Sequence, residues 1–237
     1  GYAADAGGKL GTAAFTMGML DEGAGKLDAL AFKARVEDLG AGIGSGAALD
    51  TSTVYVSALV DQLDPSLALF ADVLRTPRLD EGDIERVRKQ WLARIAQEKT
   101  QPNAIASRLL PPLLYGAGHS YGIPFTGSGT EASIAALTRA DLLAHMATWV
   151  RPDNLRLIVV GDTTLAQIVP LLEKHFGDWR APGVARGSKS IAAVALPSAP
   201  RVYLVDRPEA QQTLILGGHR IPSSRAPDLL QTETALS

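Results

Sequence analysis

Apolar positions recur every three or four residues along much of the chain, a pattern typical of amphipathic helices. The predicted helices cover residues 9–22, 27–39, 64–75, 81–99, 103–115 and 165–176, and the inward stripe of the longest consists of Ile84, Val87, Trp91 and Ile95. Thr130 and Thr138, the latter with Asp141 three residues on, predict the capped starts of two short helices. We expect Pro111 and Pro112 to interrupt the 103–115 helix, because proline lacks the amide hydrogen and clashes with the preceding turn.

Other segments carry the β-branched or alternating pattern of strands. Residues 40–46 have glycine at every second position and residues 50–59 are rich in Val and Thr, so these two are expected to pair. Residues 155–161 predict a buried strand, and 201–206 and 212–216 predict two more. Because strands occur in adjacent pairs with helices grouped between them, the order favours an α+β fold over a doubly wound sheet.

Composition divides the chain into three parts. Residues 1–180 carry most of the predicted helices and strands and are interpreted as one domain, whereas 181–198 are rich in Gly, Ala, Ser and Pro, as linkers are. Residues 199–237 open with two predicted strands and lead into a helix that the chain does not complete. We therefore expect a second, truncated domain after the linker.

Charge and composition exclude several classes of function. With 23 basic and 25 acidic residues the net charge is −2, and no basic patch of the kind that binds nucleic acid is visible. The longest apolar runs, such as 157–160, are too short to span a membrane. The absence of cysteine excludes disulfides, thiolate metal sites and cysteine nucleophiles. It fits the cytoplasm and a disulfide-free periplasm equally, so the compartment stays open, with the periplasm favoured.

Three features of the sequence suggest catalysis or ligand binding, and in each case the surrounding residues favour a structural role. The glycines of 40–46 do not form G-x-G-x-x-G, and they follow a helix and precede a strand, the reverse of a phosphate-binding loop. Residues 118–122 match G-x-S-x-G with Ser120 as nucleophile, yet the strand and helix that expose such a serine are missing around it. The histidines are too far apart in sequence for helical metal-ligand spacing; they are His119, His145, His175 and His219.

Several segments in a fixed order carry a resemblance to a known family. Residues 11–20, with Gly23 after them, resemble the segment G-x-A-H-F-x-E-H-M-x-x-x-G-T of the M16 metallopeptidases, the family of insulinase and mitochondrial processing peptidase. Further matches follow at 74–77, 84–102, 114–122, 138–142 and 151–162. The resemblance covers about residues 5–180, and it gives 118–122 an ordinary place as a family loop.

The resemblance implies a zinc site whose ligands this chain lacks. In active members an inverted H-x-x-E-H supplies two zinc ligands and a general base, and a later glutamate is the third ligand. The histidine positions fall on Ala14 and Gly18 and the base on Met17, while the third ligand falls on Arg94, or on Ala93 if the register shifts by one. Methyl, hydrogen and thioether groups cannot hold zinc or accept a proton from water. Zinc is therefore expected only in a partner lobe.

The resemblance also implies a fold and a role. The fold would be a LuxS/MPP-like αβ sandwich, a mainly antiparallel sheet with helices on one side, truncated at both ends, in which 201–217 could fill the sheet positions of the missing opening strands. The role would be that of a non-catalytic lobe that shapes a peptide-binding chamber with an active H-x-x-E-H lobe, in the same chain or another. The substrate-binding edge strand would include Gly44, Ser45, Gly46 and Ala47. The alternatives are a scaffold or docking module without peptide binding, and a serine hydrolase using Ser120.

Overall fold

The computed structural model describes residues 1–208 and 210–221 as a mixture of helices and small antiparallel sheets, which confirms the α+β class. The helices are α1 Thr12–Gly18, α2 Ala29–Asp38, α3 Leu63–Arg75, α4 Glu81–Glu98, α5 Pro102–Tyr115, α6 Glu131–Ala135, α7 Arg139–Trp149 and α8 Leu165–Phe176. The strands are β1 Gly23–Ala24, β2 Leu27–Asp28, β3 Gly42–Ala47 and β4 Ser52–Ser57. None of the helices in the described part is long and apolar enough to cross a membrane.

Helix α1 is shorter than the 9–22 predicted. Gly11 stands before it with φ of 92°, a left-handed conformation that cannot continue a right-handed helix. After Gly18 the chain tightens into short-range turns, in which the amide of Met19 bonds to the carbonyl of Thr16. The prediction extended the helix too far because apolar spacing persists through these turns.

Helix α5 passes through Pro111 and Pro112, so the predicted interruption is wrong. Proline at 111 leaves the carbonyl of Ser107 without its helical donor. That carbonyl instead accepts the amide of Phe125 at 3.0 Å. A bond from the following loop thus replaces the missing one, which sequence spacing could not reveal.

The pairing of the glycine-rich segment with the segment after it is confirmed. β3 and β4 form an antiparallel hairpin in which Gly44 lies opposite Tyr55. A Cβ on Gly44 would lie 2.5 Å from the Tyr55 hydroxyl oxygen, so the ring crosses the strand where no side chain stands. The glycine therefore permits a close aromatic contact, as expected for glycine within a strand.

The other three predicted strands are absent from the described residues. Residues 155–160, 201–206 and 213–216 have no regular structure, and Ile158 and Val160 are 77% and 93% exposed. Strand amides and carbonyls require a hydrogen-bonded neighbour, and in the described part β3 pairs with β4 and β1 with β2. The prediction of a buried strand at 155–161 is wrong here, and so is the hypothesis that 201–217 join a sheet with it. The helix predicted at the chain end lies outside the described residues.

Three hydrophobic clusters include residues of α1, and two of them are large. The first joins α1 to α4, α6 and α7 and consists of Phe15, Met19, Leu79, Ile84, Val87, Ile95, Ile134, Leu137 and Leu142. The second joins α1 to α2, α3, α7 and the hairpin and consists of Met17, Leu20, Ala24, Phe32, Leu39, Leu69, Val73 and Met146. Because α1 contributes to both of these clusters and, through Ala13, to a third with Tyr2 and Ile123, its position is determined from several sides.

The predicted linker, 181–198, has no helix or strand, but hydrogen bonds and an ion pair connect it to earlier parts of the chain. The Lys189 ammonium lies 2.8 Å from an Asp50 carboxylate oxygen, and the Gly187 amide donates to the carbonyl of Thr148 at 3.1 Å. Arg151, which is buried, donates to the carbonyl of Val184 at 2.8 Å. The segment therefore follows a defined path over the surface, while the division into domains around it stays a prediction.

Candidate functional site

The start of α1 is held by a buried carboxylate. Asp5 accepts the backbone amides of Gly11 and Ala13 at 3.0 and 3.1 Å and is 6% exposed. Burial raises the pKa of Asp5 to about 7, and the two amide hydrogen bonds counteract this only in part. These hydrogen bonds thus fix the start of α1, the helix that the resemblance assigns to zinc binding.

The three residues of α1 that the resemblance assigns to the zinc site differ in burial. Ala14 and Gly18 are half-buried, whereas Met17 is 1% exposed and packs in the second hydrophobic cluster. A thioether at Met17 suits that apolar environment, in which an ionised carboxylate would be strongly destabilised. At the position assigned to the base, the chain therefore contributes to the core.

The space beside Gly18 is filled by Trp91 of α4. A Cβ on Gly18 would lie 3.3 Å from the Trp91 Cζ3 atom, and the Phe15 ring meets the indole edge-on with centroids 5.4 Å apart. The indole N–H donates to the carbonyl of Ser128 at 2.9 Å. The indole occupies the gap between α1 and α4, where the resemblance places the metal.

Arg94, assigned to the third zinc ligand, lies on the same indole. Its guanidinium carbon is 5.3 Å from the Trp91 ring centroid, and its Nε is 3.4 Å from a Glu98 carboxylate oxygen. Ala93, the assignment in the shifted register, is exposed and has no donor atom. A cationic guanidinium and an indole at this place do not fit a zinc ion, which needs three or four converging lone pairs.

Glu98 lies one helical turn after Arg94, and its carboxylate is already paired within the protein. It accepts Arg108 at 2.8 Å and the hydroxyl of Ser128 at 2.6 Å, and it is 9% exposed. Across residues 1–208 and 210–221, no three His, Cys, Asp or Glu side chains are grouped so that they could hold a metal. The assignment of the zinc positions to these residues remains a prediction.

The predicted peptide-binding segment lies against α1. The Ser45 hydroxyl donates to the carbonyl of Met17 at 2.5 Å, which joins β3 to the end of the helix. Ile43 and Ala47, on the same face as Ser45, pack against the second hydrophobic cluster. Gly42 and Gly46 are exposed, and a Cβ on either would meet nothing within 4 Å. The structure thus brings the Gly44–Ala47 segment next to Met17 and Gly18.

Ser120 does not have the setting of a hydrolase nucleophile. Its hydroxyl donates to the carbonyl of Ser190 at 3.1 Å, and the loop around it follows α5 rather than a strand. The neighbouring His119 contacts the carbonyl of Ala192 through Nε2 at 2.9 Å and accepts the amide of Tyr121 through Nδ1 at 2.9 Å. Both residues hold the 190–192 segment in place, so the structure favours a loop role.

The sequence interpretation missed the role of Trp91. It placed this residue in the inward stripe of α4, whereas the side chain is half-buried and bridges to Gly18, 73 positions earlier in the chain. A glycine inside a helix was the available signal, because glycine often marks a close approach. The network of Glu98, Arg108 and Ser128 gave no sequence signal, since its members are distant and common residue types.

The comparison with known families decides the identity. A family model described as insulinase, peptidase family M16, matches residues 1–120, and a model described as the peptidase M16 inactive domain matches residues 136–235. The chain belongs to the M16 peptidase family. The resemblance inferred from the sequence is thereby confirmed.

Curated relatives are zinc proteases and processing peptidases. An uncharacterized zinc protease of Mycobacterium leprae is 26% identical over 187 residues, which cover 79% of this chain and 41% of that protein. The beta subunit of the Homo sapiens mitochondrial-processing peptidase is 24% identical over 168 residues, covering 71% of this chain and 34% of that protein. This M16 chain therefore spans well under half the length of either relative.

Solved structures place the chain in the same fold family. A peptidase M16 inactive domain from Pseudomonas fluorescens superposes with a TM-score of 0.73 at 28% identity, over 82% of this chain and 46% of that one. A periplasmic protease from Escherichia coli superposes with a TM-score of 0.67 at 19% identity, over 79% of this chain and 21% of that one. At the lower identity the likeness concerns the fold alone.

Proposed function

We propose that this chain is a non-catalytic lobe of an M16 metallopeptidase, which shapes a peptide-binding chamber together with an active, zinc-containing H-x-x-E-H lobe. The observation that carries this proposal is the Trp91 indole against Gly18, with the Arg94 guanidinium over the ring. Where an active lobe needs lone pairs, this lobe has an aromatic ring and a positive charge. Similarity to an M16 inactive domain supports the same conclusion. We also propose that this lobe has the LuxS/MPP-like αβ sandwich fold.

We further propose that the lobe binds peptides along β3. Backbone pairing of an extended peptide with a strand edge is a common mode of peptide recognition, and it needs little from side chains. The Gly44–Ala47 segment is anchored to α1 through Ser45 and has exposed glycines on its outer face. These features would allow a peptide of varied sequence to approach the backbone closely.

Cross-linking tests the location of the peptide. Because the chain has no cysteine, Gly46→Cys can carry a single benzophenone label, and a Cβ at Gly46 meets nothing within 4 Å. An unfolded fifteen-residue peptide is expected to cross-link to this variant. It is not expected to cross-link to the matched control Glu37→Cys on the exposed face of α2. Equal labelling of both variants would contradict binding at β3.

N-methylated peptides test the mode of binding. In strand pairing, alternate peptide amides face the partner strand. A peptide methylated at one alternating set of amides should lose binding, and a peptide methylated at the other set should keep it. The assay is repeated with an added H-x-x-E-H lobe. Absence of peptide binding in both conditions would favour the alternative role, a scaffold or docking module.

A further inference from the structure

The Trp91 side chain forms a rigid, half-buried platform at the end of α1. Three contacts fix its orientation: the N–H bond to the Ser128 carbonyl at 2.9 Å, the edge-on Phe15 ring at 5.4 Å, and the approach to Gly18. Contacts on several sides leave the ring little rotational freedom. A ligand that binds above it therefore meets a surface that is already ordered, which reduces the entropic cost of binding.

Arg94 lies on this platform with its donor edge available. The guanidinium carbon lies over the indole, 5.3 Å from the ring centroid, and a guanidinium carries a planar set of N–H donors. Among the described residues its polar partner is Glu98, through Nε at 3.4 Å, a distance longer than that of a charge-assisted hydrogen bond. The side chain is 58% exposed, so the remaining N–H groups face solvent.

The local charge is positive. Glu98 also faces Arg108 at 2.8 Å, so one buried carboxylate is shared between two guanidinium groups. Glu98 is held in addition by the hydroxyl of Ser128 at 2.6 Å, which keeps the carboxylate turned inward. One positive charge of this group is therefore uncompensated, and it resides on the exposed member, Arg94.

The platform and the proposed peptide-binding strand both contact the end of α1. Ser45 of β3 bonds to the carbonyl of Met17, and Gly18, the next residue, faces Trp91. Both contacts lie at the C-terminal end of α1, so a peptide on β3 and the Arg94 guanidinium would share that end of the helix. A planar fork of N–H donors is well suited to bind a carboxylate with two parallel hydrogen bonds.

We infer that Arg94, which lies over Trp91, is a binding site for a carboxylate group of a peptide. The inference rests on the proposed function, and it adds that this lobe prefers peptides that present a carboxylate near the end of α1. The carboxylate comes either from the peptide C-terminus or from an acidic side chain, and both offer the same pair of oxygens.

Three capped peptides test this inference with the full chain. They are acetyl-Ala-Ala-Ala with a free carboxylate, the same peptide as an amide, and acetyl-Ala-Glu-Ala amide. Binding is followed by NMR through the indole N–H of Trp91, which Trp91→Phe identifies. At least one carboxylate peptide should bind about tenfold more tightly than the neutral amide, the effect of a charged hydrogen-bond pair. Which of the two binds identifies the source of the carboxylate.

Variants locate the effect. Arg94→Gln should abolish the preference for a carboxylate, whereas Lys89→Gln, which removes a charge from an exposed position on the same helix, should keep it. A preference that survives Arg94→Gln, or equal binding of all three peptides, would overturn the inference. If long peptides cross-link at Gly46 but show no preference for a carboxylate, the Arg94 site is wrong and the proposed function stands. Short carboxylate peptides that bind while long peptides do not would overturn the proposed function instead.

Discussion

Replacing Gly18 by histidine tests whether Trp91 fills the position that the resemblance assigns to a zinc ligand. The new Cβ alone would lie 3.3 Å from the indole, closer than most real Cβ contacts, and an imidazole extends beyond it. The indole cannot easily withdraw, because Ser128 and Phe15 hold it on other sides. Gly18→His is therefore expected to destabilise the fold by overpacking.

The size of the effect follows from two opposing contributions. Inserting extra atoms into a packed site costs about 1–3 kcal/mol. Replacing glycine in a helix recovers roughly 0.5–1 kcal/mol, and Gly18 is the last residue of α1, where this gain is smallest. A net loss of about 1–2 kcal/mol is expected. Trp91→Ala alone should cost about 3 kcal/mol, at the low end for tryptophan because the ring is only half-buried.

A double-mutant cycle separates the contact from general effects of the substitutions. Once Trp91→Ala has opened the space, Gly18→His should cost close to nothing, which gives a coupling energy of about 1–2 kcal/mol. Urea unfolding followed by circular dichroism measures each free energy without relying on the tryptophan that is removed. Gly46→His, at an open position, is the matched control and should cost the same in both backgrounds.

Additive free-energy changes would contradict a contact between residue 18 and Trp91. If Gly18→His costs the same with and without Trp91, to within about 0.5 kcal/mol, the indole does not occupy the space beside residue 18. The position assigned to zinc would then merely lack ligands, with no side chain filling it.

Two further predictions concern buried charge. Arg108→Leu should destabilise the fold by about 3 kcal/mol, because it leaves the Glu98 carboxylate buried with weaker compensation, whereas Arg94→Leu, at an exposed pair, should cost under about 1 kcal/mol in urea unfolding. Asp5→Asn and His145→Gln should change the pH dependence of the unfolding free energy in opposite directions between about pH 4 and 6.5, because burial raises the pKa of Asp5 to about 7 and lowers the pKa of His145 to about 4.

The signs follow from which state holds the proton. Between pH 4 and 7 the folded state keeps the proton on Asp5 and the unfolded state has lost it, so stability falls as pH rises. The unfolded state protonates His145 below about pH 6.5 and the folded state does not until about pH 4, so stability falls as pH falls. Asp5→Asn should therefore make the unfolding free energy fall more steeply as the pH decreases toward 4. In His145→Gln, only the fall in unfolding free energy with rising pH should remain. Wild-type pH dependence in either variant would contradict the corresponding pKa shift.

For Glu98, equal costs for Arg108→Leu and Arg94→Leu would show that the carboxylate does not depend on its buried partner. Adding Glu98→Gln to Arg108→Leu should recover part of the lost stability, because the unpaired charge is then removed. Failure to recover it would indicate that the packing of Arg108, rather than its charge, is responsible.

Local hydrogen bonding and periodicity made much of the fold predictable. The Thr138 hydroxyl accepts the amide of Asp141 while the Asp141 carboxylate accepts the amide of Thr138, a reciprocal pair that depends on three residues of spacing alone. The β3–β4 hairpin was likewise predicted, because its strands are separated by a short turn. The family was predicted for a similar reason, since its motifs follow one another in a fixed order.

Strand formation was predictable only in part. Residues 155–160 have the composition of a strand, but composition expresses a local preference, whereas pairing needs a neighbour that can be far away in sequence. In the described residues that neighbour is missing, and Val160 is 93% exposed. The same limit explains α5, in which a loop amide from Phe125 compensates for Pro111.

The side chains at the assigned zinc positions can be read directly from the amino-acid sequence, and those at 14, 17 and 18 carry no lone pair suited to zinc. What occupies the place instead became clear from the fold: an indole from α4, held by Ser128, with Arg94 over its face. The difference arises from distance along the chain. Spacing within a helix follows from the sequence, but which ring fills the gap between two helices depends on how the whole chain packs.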